Sequence, residues 1–410
     1  MSMLNPKEAS LSLTPGALAG VRVIEMGQLI AGPFAGKTLG EFGADVIKIE
    51  PPGSGDPLRN WRLIKDGTSV WWQVQSRNKR SLALDLRSAE GQDIARRLIA
   101  QADVLIENFR PGTMEKWAMG YEALSALNPG LVMLRISGYG QTGPYRDLPG
   151  FGAIGEAMGG LRHLCGQPGQ VPVRCGISIG DTLAALHGTI GVLTALYHRK
   201  VNGGKGQVID VALTEAVFNV MESLVPEYSA FGVVREPAGS ALPGIAPSNA
   251  YRCGDEGVVL IAGNGDSIFK RLMTAIGRDD LGQDAALADN AGRVKRVDEL
   301  DRAIETWTLQ RPAADVLAIL GEVKVPAGRV YTAKDIVEDP HFQARDMILK
   351  QATRDGTTVD VPGVVPKLLG TPGSVRSSAP GLGDDTDAVL GEIGFSVQDI
   401  AALRGRKVVA

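Results

Sequence analysis

From residue 21 to residue 137 the chain keeps switching between two hydrophobic periods, and this alternation constrains the fold more than any other feature. Val21–Glu25, Asp45–Ile49, Ser81–Leu86, Val104–Glu107 and Leu131–Ser137 are short runs rich in branched apolar residues, bounded by Gly, Pro or charge, which is the pattern of strands. Between them, Phe34–Phe42, Ala89–Ala100 and Met114 to about Leu127 have helical spacing. Strands separated by helices at this interval pair in parallel through crossovers. The spacing therefore predicts an α/β fold, a mostly parallel sheet with helices on both faces. The stretch from Asp181 is apolar nearly all round and reads as a buried helix. Gln207–Ala212 reads as another strand, followed by a helix from Glu215. Gly232–Ser248, with its Gly, Pro and Ser, then reads as an irregular loop. Val258–Ala262 (strand) and helical segments at 267–276 and 297–320 point to a compact second domain, and 410 residues exceed what one small core organises. The Gly- and Pro-rich tail at about 355–385 is expected to wrap over a surface.

Composition narrows function mainly by exclusion. Lys and Arg total 43 against 46 Asp and Glu, a formal net charge of −3, so no basic footprint for a nucleic-acid backbone exists. Small anionic ligands would have to be met by local clusters of Lys and Arg. The three cysteines, Cys165, Cys175 and Cys253, are odd in number and scattered, which argues against a disulfide framework. His163, His187, His198 and His341 stand apart with no ligand spacing, so no metal site is read. Met1–Gly20 has no charged region leading into an apolar run and is not Arg-rich. No apolar stretch is expected to reach the roughly 20 residues of a membrane span. The nearest, Thr182–Tyr197, is interrupted by His187 and Gly188. The expectation is a soluble, cytoplasmic protein with neither nucleic acid nor membrane as a partner.

Two motifs carry candidate chemistry. Ala31-Gly-Pro-Phe-Ala-Gly36-Lys37-Thr38 fits a relaxed phosphate-loop pattern between a strand and a helix. Its chemistry is poor, because a phosphate cradle is built of backbone N–H donors; Pro33 has none and Phe34 crowds the concavity. Two other readings stay open: a plain strand-to-helix turn, or a binding turn for a nucleotide-like ligand at a helix N-terminus. The second motif is Gly176-Ile-Ser-Ile-Gly180-Asp181-Thr182. Asp181 is either an N-cap of the apolar helix or a carboxylate left open by its glycine approach, poised to attack a ligand. Pattern alone does not separate these readings.

With those residues in place, the chain resembles the class III CoA-transferases, the family of formyl-CoA:oxalate and crotonobetainyl-CoA:carnitine CoA-transferases. The likeness runs through Leu29-Ile-Ala-Gly-Pro33, the block Leu39–Glu50 with Gly55-Asp56, Arg77-Asn-Lys-Arg-Ser81 and Glu107-Asn-Phe-Arg-Pro-Gly112. It continues through Ser137-Gly-Tyr-Gly-Gln-Thr-Gly-Pro144, Gly180-Asp181, Gly204-Lys-Gly-Gln207, Asp339-Pro-His341 and Leu382–Asp387. The resemblance implies a doubly wound, Rossmann-like large domain over 1–225, completed by 341–410, and a smaller α+β domain over 226–340. It also implies an interlocked homodimer in which each ring-like subunit threads its partner.

The family's nucleophile falls on Asp181. Its coenzyme-binding positions fall on Ile30 and Ala31, on Leu84 to Arg87, on Asn108 and Phe109, and on Lys116. Without the resemblance, Arg87 and Lys116 read equally as solvated charges, and Asn108 and Phe109 as turn and core residues. The implied reaction moves CoA between an acyl-CoA and a small carboxylic or dicarboxylic acid through an aspartyl-CoA thioester. No permanently bound cofactor is implied; coenzyme A enters as part of the substrate. Two departures mark this chain. Phe151 and Gly152 stand where the formyl-CoA enzyme's relatives have a Tyr and an acid. A glycine-rich flap is replaced by Leu242–Asn249, offering Gly244, Ser248 and Asn249 toward substrate, with Arg174 or Arg252 as candidates for a distal carboxylate. A non-enzymatic CoA-binding protein is one alternative, and a proton-transfer enzyme resembling the α-methylacyl-CoA racemases is the other. The racemase would need a His-Asp pair near residue 151, where this chain has none.

Overall fold

In the computed structural model, which describes residues 15–65, 67–353 and 356–410, the six strands named from the sequence between residues 21 and 212 assemble into one parallel sheet. The start of the chain, read above as lacking a leader, lies outside the described residues up to position 14. The strands are β1 (Arg22–Glu25), β2 (Asp45–Glu50), β3 (Lys79–Ala83), β4 (Val104–Glu107), β5 (Val132–Ser137) and β6 (Val208–Ala212). They lie in the order β3-β2-β1-β4-β5-β6. Register is set by pairs such as Ile24↔Ile47 and Ile24↔Leu105. The order reverses between β1 and β4, so the turns leaving their carboxyl ends part to either side and open a crevice.

The central strands β1, β4 and β5 are buried on both faces, which is why their apolar residues follow one another without alternation. Successive side chains alternate between two cores. Ile24, Ile47, Leu82, Leu105 and Met133 pack with Ile94 and Leu98 of a helix at Ala89–Ile99, and with Leu390 and Leu403 near the C-terminus. Val23, Val46, Val104, Val132 and Leu134 face the other way. They meet Ala35 and Leu39 of α1 (Ala31–Glu41) and Ala184, Ala185 and Val192 of a helix at Ile179–Val201. The tail is tied to the same sheet. The Ser81 N–H donates to Asp385 at 2.8 Å, and the Arg77 guanidinium donates to the Pro362 carbonyl at 2.7 Å.

Several elements differ from expectation for identifiable reasons. β3 starts at Lys79, two residues before the predicted run, because Lys79 is a buried, ion-paired strand residue and not a charged boundary. The helical stretch predicted from Met114 breaks into Thr113–Lys116 and Tyr121–Leu127 around Ala118, whose φ is 53°. A short helix not predicted at all, α2 (Gly152–Met158), follows β5. The helix labelled α3 (Ile179–Val201) has 23 residues and contains an 18-residue window of mean hydropathy 1.3, so by length and composition it could cross a membrane, contrary to the sequence expectation. Nor is it wholly buried. Ala184, Ala185, Gly188, Val192 and Ala195 face the sheet, while Leu186, Ile190, Leu193 and Tyr197 face outward.

Contacts divide the chain into two compact units. One holds residues up to Arg162, Cys175–Val225 and Ala344–Ala410; the other holds His163–Arg174 and Pro226–Gln343. The second unit has an antiparallel sheet of β7 (Ser248–Arg252), β8 (Val258–Ala262) and Ala327–Arg329, covered by α4 (Asp266–Ala275), α5 (Val297–Thr308) and α6 (Ala313–Glu322). The predicted helix over 297–320 is two helices, because Pro312 caps α6 and lacks the N–H that would continue α5.

Candidate active site

The site begins with a turn that buried side chains hold from beneath. Between β1 and α1 the chain passes through Leu29 with φ 64°, a left-handed conformation rare for a bulky residue. The Leu29 N–H donates to both oxygens of Asp56 at 3.1 Å. The Gly27 carbonyl accepts from Lys48 Nζ at 2.7 Å, the Ile30 carbonyl from Gln75 Nε2 at 2.9 Å, and the Pro33 carbonyl from Lys79 Nζ at 2.7 Å. On the crevice side, Asn108 accepts from the Gln28 N–H at 2.8 Å and donates to the Gln28 carbonyl at 2.9 Å, joining the turns after β1 and β4.

The braces under the turn form a compensated cluster. Lys48 sits 3.0 Å from Glu25 and 2.9 Å from Asp56, Lys79 is 2.8 Å from Glu25, and Glu50 pairs with Arg59 at 2.7 Å. Burial pulls Lys48 down, but Asp56, Glu25 and Glu50 outweigh it and hold the ammonium above its ordinary range. Burial pushes Lys79 down to about 8, with Glu25 opposing and Lys48 adding to the fall. Lys37, the lysine of the near phosphate loop, is buried along α1. It lies 3.4 Å from Glu41 and over the Phe34 ring at 4.3 Å, and burial lowers its pKa. It is spent on its own helix, so the triphosphate reading fails.

Asp181 is not the N-cap. α3 starts two residues earlier with Ser178 at the cap, which places Asp181 in the first turn, where the helix dipole favours negative charge. Its carboxylate lies against the start of α2. A Cβ on Gly152 would stand 2.0 Å from Asp181 Oδ2, so a side chain there would push the carboxylate out of this position. A glycine here is a steric requirement of the carboxylate's position.

Asp181 opens into a cavity of about 310 Å³ at the crevice, which brings together the predicted residues Ile30, Ala31, Asn108, Phe109 and Phe151. Gln28 and Phe109 also line a neighbouring cavity of about 110 Å³ that contains Leu84, Arg87 and Trp117. The two cavities therefore follow one another along the sheet edge. Phe109 is fixed by an edge-on contact with Trp117, centroids 5.2 Å apart, and by its N–H to Glu107 at 2.8 Å. Burial raises the pKa of Glu107, while Arg135 at 2.7 Å opposes that rise. Lys116 is exposed, one residue before Trp117, and lines neither cavity. Gln28, Arg110, Ser137 and Arg146 line the Asp181 cavity without having been singled out. Arg110 and Ser137 lie within quoted motifs and Gln28 adjoins one, a signal that was available; Arg146 sits in a loop that only tertiary closure brings there.

The remaining predicted residues belong to the second unit. Gly244 has φ 76°, and its carbonyl accepts from Asn290 at 2.8 Å. The Ala246 N–H donates to the same asparagine at 3.1 Å, so the predicted flap is tethered within its own unit. Ser248 pairs with Ala262 at the start of β7. Asn249 accepts from Ser240 at 2.6 Å and donates to Asp301 at 2.8 Å, in a cavity lined by Asp298, Asp301 and Glu305. Arg252 lies 3.4 Å from Glu305. His163 lies 3.6 Å from Glu236, and in the first unit the His187 ring bonds Leu183 and Asn219; neither histidine lines the Asp181 cavity.

Comparison with known proteins adds the chemistry that such a crevice serves. The chain is 47% identical to the succinyl-CoA–D-citramalate CoA-transferase of Chloroflexus aurantiacus, over 96% of this chain and 98% of that one. It is 43% identical, over the same shares, to the beta subunit of the succinyl-CoA–L-malate CoA-transferase of that organism. The crystal structure of a CAIB/BAIF family protein from Brucella suis superposes with a TM-score of 0.83 at 34% identity, covering 93% of this chain and all of that one. Residues 18–386 match the family described as CoA-transferase family III, and the chain belongs to that family.

Proposed function

We propose that the protein transfers coenzyme A from succinyl-CoA to a small dicarboxylic acid, with Asp181 as the covalent nucleophile. One observation carries the reading: in a CoA-transferase family chain, the Asp181 carboxylate opens into the same cavity as the braced Gln28–Ala31 turn. The relatives named above act on succinyl-CoA with citramalate or malate, which supports a small dicarboxylate here.

In this mechanism an Asp181 oxygen attacks the thioester carbonyl and the C–S bond breaks, giving a mixed anhydride and CoA thiolate. The thiolate attacks the aspartyl carbonyl, the anhydride C–O bond breaks, and the donor acid leaves as its carboxylate. The acceptor carboxylate then repeats the two steps in reverse and restores Asp181. One thioester replaces another, so no ATP and no resident cofactor are required. Each tetrahedral oxyanion needs fixed donors. The N–H groups of Ala31 and Gly32 suit this role, because the first intrahelical bond of α1 runs from Phe34 to Ile30 and leaves them without a helical acceptor. The coenzyme would follow the second cavity past Phe109 toward Leu84 and Arg87. A racemase would need a base near residue 151, and Phe151 and Gly152 supply none. We further propose a doubly wound, Rossmann-like large domain and an interlocked cytoplasmic homodimer. The strand order supports the first, and the outward apolar face of α3 supports an unmet partner.

The test is to incubate the protein with succinyl-CoA, quench with hydroxylamine and map the product by mass spectrometry. A hydroxamate on the Asp181 peptide is expected, and Asp181→Asn, checked for deamidation, should lose at least about 10³-fold in exchange rate. Parental exchange by that variant would sink the reading.

A further inference from the structure

Resting on the transfer reaction above, we propose that Arg146, together with Arg110, selects dicarboxylates by binding the carboxylate remote from the reacting one. Among the described residues lining the Asp181 cavity, the charged side chains are Asp181, Arg110 and Arg146. Two guanidinium groups face one carboxylate, which leaves one positive charge in excess. A donor such as succinyl-CoA carries one free carboxylate beyond its thioester, and that charge balances the site. An acyl chain ending in methyl leaves the excess uncompensated.

The groups around the arginines leave them available. Arg146 Nε lies 3.5 Å from Asp147, a surface carboxylate whose side chain is 84% exposed, and such a pair contributes little. The Arg146 charge also reaches Glu115, but that carboxylate is already held by both terminal nitrogens of Arg135, at 2.7 and 3.2 Å. Arg110 has no ion-pair partner among the described residues. Ile30, Phe109, Leu148 and Phe151 make the rest of the wall largely apolar, suited to the methylenes between two carboxylates.

Arg146 is also positioned. Its loop leaves β5 and returns to α2, and the two ends cross where a Cβ on Gly138 would stand 2.9 Å from the Gly150 Cα. Above that crossing Tyr139 packs edge-on against Tyr145, centroids 5.9 Å apart, and the Leu148 N–H donates to the Tyr145 carbonyl at 2.9 Å. The closed loop presents Arg146 to the cavity that Asp181 enters from α3. A planar fork suits a carboxylate better than an ammonium would. Two candidates named from sequence fit the role less well: Arg252 and Asn249 face Glu305 and Asp301, so their surroundings repel an anion.

The experiment compares succinyl-CoA with butyryl-CoA, which have the same carbon count and the same coenzyme and differ only at the chain end. The readout is the ratio of their kcat/KM values in wild type, Arg146→Met, Arg110→Met, the double variant and Arg146→Lys. The preference for succinyl-CoA should fall on the order of 10- to 100-fold in Arg146→Met, further in the double variant, and less in Arg146→Lys. A ratio equal to wild type, whatever the individual rates, would mean that the arginines serve the coenzyme or the fold, and it overturns the inference while leaving the transfer reaction standing. A wild-type protein that exchanges no CoA at all removes the transfer reaction, and this inference with it.

Discussion

At the scale of single residues, the position of Asp181 depends on what its neighbour lacks. Gly152 begins α2 with its hypothetical Cβ 2.0 Å from Asp181 Oδ2, a distance no pair of atoms tolerates. One methyl group must therefore displace either the carboxylate or the start of a two-turn helix. Misplacing a reacting group by about 1 Å costs on the order of 100-fold in rate. Gly152→Ala should accordingly lose about that factor in kcat, with a smaller change in KM because the coenzyme-facing turn lies elsewhere. Steady-state exchange kinetics beside a melting curve check this; a stable variant with parental kcat would show that Asp181 has room to spare. The same contact explains why sequence alone left Asp181 undecided. Asp, Ser and Gly near a helix start all read as capping, and only the tertiary approach of α2 separates a cap from a carboxylate held at a cavity wall.

At the scale of elements, the turn between β1 and α1 is the most heavily braced part of the site, and its braces are charged residues inside the sheet. Lys79 shows the consequence. Burial lowers its pKa to about 8 in the folded chain, against roughly 10.4 for a free lysine. Between those values the folded state has released a proton that the unfolded state still binds, so unfolding free energy rises with pH across this window. Expressed as a difference from Lys79→Met, the gain should approach roughly 3 kcal/mol between pH 8 and 10.4. Urea unfolding of both proteins at several pH values measures it, and parallel pH profiles would rule it out. These lysines also mark where the sequence is hard to read. β1, β4 and β5 were legible because both faces are buried and consecutive apolar residues dominate them. β3 was misplaced because Lys79 looks like a boundary when its partner, Glu25, lies 54 positions away. The loop from Gly138 to Gly150 carries no periodicity, so neither its closure nor the place of Arg146 could be foreseen. The outward half of α3 was misjudged because an all-round apolar pattern does not say which face the sheet takes.

At the scale of the molecule, that outward half is the observation still to be accounted for. Leu186, Ile190, Leu193 and Tyr197 recur at intervals of four, three and four, one stripe of a helix, and Ile190 and Tyr197 are 62% and 68% exposed. Phe218 and Val220, in the segment after β6, are exposed as well. Single exposed apolar residues are ordinary, but a contiguous stripe on a long helix marks a surface that something covers. A second copy of the chain is the expected cover, and self-association through an isologous face requires the stripe to meet itself or a matching patch on the partner. Light scattering coupled to gel filtration should then give twice the chain mass, and the melting temperature should rise with protein concentration. Ile190→Glu combined with Tyr197→Glu places two charges in that face, where an unpaired buried charge costs several kcal/mol. The double variant should elute at the mass of one chain, or remain paired with a melting point lowered by many degrees. If the wild type has the mass of one chain at every concentration, α3 has no second copy to cover it.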